Sequence, residues 1–237
     1  MLTQQAYPAH TSNCRQFDSI LSSYEELAAT ALRTLHMEAR CRIVQSLQTA
    51  LSAETAPYLL DQEVNEPDPQ ILSLNAEMVV YDETTTRFLR EREVAFVRTG
   101  LGLLINSYLI RNALMVAPMN ARGCGRMQLN ILVLQQNLKN IEEGVDLVRA
   151  ANYFELFDRG PDAIVDKAKE DAAVMDSDEA QEGAAKDNNK FTYDELKALM
   201  ELCYSEQLAD PERGVASAAK RQMADKLLNL SEYMWQS

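Results

Sequence analysis

Met127-Gln-Leu-Asn-Ile-Leu-Val-Leu-Gln-Gln-Asn-Leu-Lys-Asn-Ile141 is the stretch on which the reading of this chain turns. Met127, Ile131, Leu134, Leu138, Ile141, Val145 and Val148 succeed one another at steps of 4, 3, 4, 3, 4 and 3 residues, the period of a helix with one apolar face. Beside that seam runs a row of amides, Asn130, Gln135, Gln136, Asn137 and Asn140, and Lys139 is the only charge in the fifteen residues. A helix so poor in charge is expected to pack on more than one side. It holds no acid, base or nucleophile, so it points to architecture and interaction.

Working outward, the 237 residues are 46% hydrophobic and 25% charged, enough to bury a sizeable core. Glycine (8) and proline (7) are scarce and helix formers abound, which predicts an all-α protein. The net charge of −13 argues against a nucleic-acid partner and against broad contact with an anionic membrane. The charge is uneven. Ala53 to Thr84 carries eight acidic residues and no Lys or Arg, whereas Arg87 to Lys139 carries seven Arg and one Lys against Glu91 and Glu93. The plainer reading is solvated faces of opposite sign that attract one another within the fold. The sharper reading is a basic stripe, Arg87, Arg90 and Arg92, that docks an acidic partner.

Cys14, Cys41, Cys124 and Cys203 lie 27, 83 and 79 residues apart, so no pair has metal-knuckle or redox spacing. With no signal peptide at the N-terminus, reduced thiols in the cytoplasm are expected. Leu101 to Ile110 is too short an apolar run to span a bilayer. There is no Gly-x-Ser-x-Gly, no His-Glu-x-x-His and no phosphate loop, and Gly100-Leu-Gly102 lacks the third glycine because Ile105 stands there. His36 reads as a structural histidine. The acidic loop Asp61 to Pro69 lacks the ligand ladder of a calcium site. No enzyme, cofactor or metal is expected.

Along the chain, residues 1–13 read as a flexible leader, with Ser12 or Asn13 capping a helix that runs from about Cys14 to Ala53. Asp68-Pro69 starts a helix to about Glu91, and Val94 to Val116 forms the most buried one. Ala121 to Gly125 is expected to be a tight turn that sets the opening stretch antiparallel to that buried helix. Gly144 weakens the helix beyond Ile141, and Gly160-Pro161 separates a bundle at 14–160 from a C-terminal bundle at 161–237. Residues near 170–190 read as an acidic mobile loop, Thr192 to Glu195 as a capping box, and Asp210-Pro211 as the start of a last helix reaching about Trp235. About eight or nine helices result.

Four stretches together resemble the family of exocyst complex component four, the Sec-eight subunit. They are Leu35-His-Met-Glu-Ala-Arg40, Pro67-Asp-Pro69 leading to Leu74-Asn75, Gly100-Leu-Gly-Leu-Leu-Ile105, and above all Asn130 to Ile141, with Tyr153-Phe154 following. The resemblance implies an elongated rod of stacked antiparallel helical bundles and a place in the C-terminal region of a longer, non-enzymatic subunit. It implies other exocyst subunits and regulators of secretion as partners, with peripheral membrane association through the complex at sites of secretion. The runner-up is a helical adaptor that recognises a partner helix or peptide outside secretion. The amides Asn130, Gln135, Gln136, Asn137 and Asn140 carry the family resemblance and are expected to be inter-helix hydrogen-bonding groups.

Overall fold

The computed structural model describes residues 9–52, 54, 57–175 and 190–235. These residues form α1 (Ala9–Ala50), α2 (Pro69–Phe88), α3 (Glu91–Arg98), α4 (Leu101–Arg111), a 3-10 turn (Ala113–Val116), α5 (Ala121–Leu138) and α6 (Val148–Arg159). They continue with α7 (Pro161–Met175), α8 (Tyr193–Cys203), the single-turn α9 (Ser205–Leu208) and α10 (Arg213–Trp235). Among the described residues there is no β-strand, only an isolated parallel bridge between Tyr58 and Met119. The chain is all-α, as its composition predicts.

With neither glycine nor proline in 42 residues, α1 is a single helix about 63 Å long at ~1.5 Å per residue. It begins at Ala9, so residues 9–13 belong to it; Ser12 and Asn13 lie inside it, and residues 1–8 lie outside the described set. Only its C-terminal part enters the core, through Ala39, Ile43, Leu47 and Ala50. Asp68 caps α2 as expected, its carboxylate accepting from the Gln70 amide at 2.8 Å, with Pro69 at the first helical position.

The helix expected from Val94 to Val116 is divided. Gly100, at φ +80°, ends α3 and starts α4 in a conformation that only glycine adopts without strain. The amides of Gly100 and Gly102 both donate to the Glu142 carboxylate, the second at 2.9 Å, so a side chain from a distant loop supplies the anion that a helix N-terminus favours. A Cβ on Gly102 would lie 1.9 Å from Val145 Cγ2, so the small residues admit the loop at 139–147. Glu91–Arg111 as a whole has the length and mean hydropathy, 1.2, of a membrane span. Gly100 interrupts it, and Val94, Val97, Leu101, Ile105, Leu109 and Ile110 are buried in the protein's own interior.

Three expectations about the opening stretch are corrected. Ala121 to Gly125 is the first turn of α5, with the Asn120 side chain accepting from the Gly123 amide at 3.0 Å. Its glycine serves close approach, for a Cβ on Gly123 would lie 1.8 Å from the Tyr58 carbonyl oxygen. The main neighbours of α5 are α2 and α6, whereas α4 packs on α1 and α6. The cause is the connection. Asn120 is extended and donates its amide to the Tyr58 carbonyl at 3.2 Å, so the chain does not fold straight back on α4. The helix also stops at Leu138; Ile141 and Leu147 stay buried on the following loop, while Val148 is exposed.

Beyond Gly160 (φ +89°), α7 continues through Met175, where a loop was expected from about residue 170; residues 176–189 lie outside the described set. The capping box at α8 is present, with the Thr192 amide donating to Glu195 at 2.8 Å and the Glu195 amide to Thr192 Oγ1 at 3.3 Å. Glu195 also pairs with Arg149 of α6 at 2.6 Å, and its carbonyl accepts from the Tyr153 hydroxyl at 2.7 Å. One buried cluster runs from Ala39 to Leu230 and crosses Gly160 without a gap.

Candidate partner-docking surface

The basic residues predicted from sequence divide into two groups. Arg98 grips Asp82 with two bonds of 2.6 and 2.7 Å, Arg126 lies 3.4 Å from the buried Asp68, and Arg122 donates to the Asp61 carbonyl. These three draw the acidic segment onto the basic one within the fold. Arg87, Arg90 and Arg92, at the corner between α2 and α3, are exposed and make no ion pair with the described residues. Phe88, in the same corner, is 81% exposed, an unusual position for a phenylalanine. The Glu93 carboxylate caps the start of α3 by accepting from the Arg90 amide at 2.8 Å. One turn on, Phe96 stacks on His36 at 4.6 Å, and His36 Nδ1 donates to the Phe96 carbonyl at 2.9 Å. That bond accounts for the histidine.

The amides take different roles. Asn130, buried, accepts from the Asp68 amide at 2.7 Å and donates to the Tyr58 hydroxyl at 3.2 Å. Gln135 donates to the Val145 carbonyl at 3.0 Å and accepts from the Leu147 amide, which closes the loop after α5. Asn137 donates to the carbonyl and side-chain oxygens of Asn75 at 3.3 and 3.2 Å, joining α5 to α2. Gln136 and Asn140 do not bridge helices: both are exposed, and Asn140 donates to the Gln136 carbonyl in its own turn. Sequence reasoning missed Asn106 and Glu142. Asn106 donates to the Asp146 carbonyl at 2.8 Å and accepts from the Ala150 amide at 2.9 Å, fixing the start of α6. Its signal was a lone amide inside the apolar run Leu101 to Ile110.

Two of the thiols are withdrawn, whereas Cys41 on α1 is exposed. Cys124 donates to the Phe154 carbonyl at 3.1 Å, and burial pushes its thiol up to about 12, as it does that of Cys203. A thiol held protonated is a poor nucleophile. Burial, reinforced by Asp68, raises the Tyr58 phenol, and burial, reinforced by Glu195, raises that of Tyr153. A small cleft between α1, α2, α3 and α4 is apolar, lined by Ile43, Met78, Val97, Leu101 and Ile141; Glu77 and Asp82 also border it, and Asp82 is already tied to Arg98. The corner between α2 and α3 presents the exposed Phe88 ring together with the exposed side chains of Arg87, Arg90 and Arg92.

No protein-family model matches the chain. It is 67% identical, over 97% of its length, to a Neurospora crassa protein named "Probable exocyst complex component sec8". It is 30% identical over 60% of its length to Drosophila melanogaster exocyst complex component 4, and 27% identical over 63% to the Homo sapiens protein of that name. The chain spans 23% of the Neurospora relative, 15% of the Drosophila one and 16% of the human one.

Proposed function

The chain belongs to the Sec8 family of exocyst complex components, and from that premise we propose that it is part of the C-terminal region of a subunit of this vesicle-tethering complex. On this reading it works in the cytoplasm, where secretory vesicles are held at the plasma membrane before fusion. The observation that carries the reading is the 67% identity sustained over 97% of the chain. The all-α architecture supports it.

The partners are the other exocyst subunits and regulators of secretion, and the chain meets the membrane only through them. No bond is made or broken. Arg87, Arg90 and Arg92 meet an acidic partner, while Asn130, Gln135 and Asn137 fix the helices behind them. Affinity capture of the tagged natural protein from its own cells, read by mass spectrometry, tests the reading. The other exocyst subunits are expected in the eluate; their absence from intact protein would overturn it. The stripe has its own test. Reversing Arg87, Arg90 and Arg92 to Glu is expected to leave thermal melting unchanged and to weaken a captured partner by about tenfold or more, on the scale of losing several exposed charge contacts. Unchanged affinity in a pull-down titration removes the stripe from the account.

A further inference from the structure

From Phe17 to Leu27, α1 stands beyond the body with its apolar side chains bare. Phe17, Ile20, Leu21, Tyr24 and Leu27 are each between 47% and 68% exposed. Single exposed apolar residues are ordinary, but these five do not scatter. At 100° per residue they occupy one stripe about 120° wide, the width of a helix face made to be covered.

That stripe continues an interface already in place. The Tyr81 hydroxyl of α2 donates to the Leu35 carbonyl of α1 at 2.7 Å, while Arg42 and Glu77, and Thr49 and Gln70, border one cleft, so the two helices run antiparallel. Positions 28, 35 and 42 of α1 lie a heptad apart on the side facing α2, and positions 17 and 24 fall on the same line. Phe88, two turns beyond Tyr81, is level with Ala28, two turns before Leu35, and there α2 ends. The seam is therefore the face on which α2 rests, prolonged for about 15 Å past the point where α2 stops.

The charges around the seam select what covers it. Between Gln16 and Leu32 there are Asp18, Glu25 and Glu26 and no Lys or Arg. Asp18 and Glu25, a heptad apart, form the edge beside Leu21. At the foot stand the exposed Arg87, Phe88 and Arg90. A second copy would bring the same acidic stretch against itself. Within this chain, Asp176 to Asn189 contains no Leu, Ile, Val or Phe to build an apolar stripe.

We propose that the N-terminal half of α1 is a docking seam for an amphipathic helix of a partner protein, basic along one flank, seated end to end with α2. Its apolar stripe covers Phe17 to Leu27 and its Lys or Arg residues meet Asp18 and Glu25. Its C-terminal carbonyls, the negative end of a helix, rest on Arg87 and Arg90. The proposal deepens the subunit reading and rests on it for its biological setting.

Two synthetic three-heptad peptides test it, both with Leu at the seam positions, one with Lys and one with Glu on the flanks, titrated by fluorescence anisotropy against the 237-residue chain. The Lys peptide is expected to bind at least about tenfold more tightly than the Glu peptide. Tyr24→Ser with Leu27→Ser removes that binding while the exposed positions leave melting unchanged, and Asp18→Lys with Glu25→Lys reverses the preference. Equal binding of the Lys peptide to the Tyr24→Ser, Leu27→Ser chain overturns the proposal, because attraction to the overall negative charge then suffices. So does a concentration-dependent dimer that this double variant abolishes, because the occupant is then a second copy. Either failure leaves the capture of exocyst subunits by the natural protein as a separate question.

Discussion

Leu134 is fully buried in α5, and a carboxylate there has neither partner nor water. Leu134→Asp is expected to unfold the protein or to cost at least about 4 kcal/mol, read as a collapse of the thermal or urea transition. The amides of the same helix separate by position. Asn130→Ala strands the Asp68 amide and the Tyr58 hydroxyl and is expected to cost about 2 kcal/mol, whereas Asn140→Ala stays within about 0.5 kcal/mol, both measured by urea unfolding. Alkaline pH reaches other residues. The thiols of Cys124 and Cys203, with an ordinary value of 9.0, are pushed up to about 12 by burial. The neutral form is the one favoured by folding, so the stability they contribute is complete below pH 9.0 and is lost as pH rises from there towards about 12. A melting temperature that falls through that window checks this. The amides were legible as polar groups in an apolar helix, but which of them bridge helices was not, because Asn130 and Asn140 differ only in what the fold brings to their faces.

Among the elements, α2, α7 and α8 could be read from their starts, since Asp68-Pro69, Gly160-Pro161 and Thr192 to Glu195 are local signals whose bonds form within a few residues. The elements that were misread are shaped by distant parts of the chain. Gly123 looked like a turn residue and is a contact with the backbone of Tyr58, and Gly102 admits the side chain of Val145 from a distant loop. Two glycines two residues apart, on opposite sides of the first turn of α5, make the distinction measurable. Gly123→Ala drives a Cβ into the Tyr58 carbonyl and is expected to cost about 1–3 kcal/mol, while Gly125→Ala, whose Cβ meets nothing within 4 Å, is expected to gain about 0.5–1 kcal/mol from helix propensity. Paired thermal melts of the two variants decide it.

At the scale of the molecule, an acidic chain of net charge −13 draws its acidic segment and part of its basic segment together through Asp82–Arg98 and Asp68–Arg126. Arg87, Arg90 and Arg92 are left facing solvent beside Phe88, and the apolar stripe of α1 stands above them. Composition announced the all-α class, and the seam from Met127 announced a buried helix. The neighbours of that helix were hidden, since they follow from an extended link at Tyr58 and Asn120 that carries no periodicity. The function proposed above makes the natural protein carrying this chain a fixed member of the exocyst. Sedimentation of a native lysate through a density gradient tests it most directly. The protein is expected to travel with the other exocyst subunits in one large species; a protein that sediments as a free monomer, with those subunits in other fractions, would contradict that proposal.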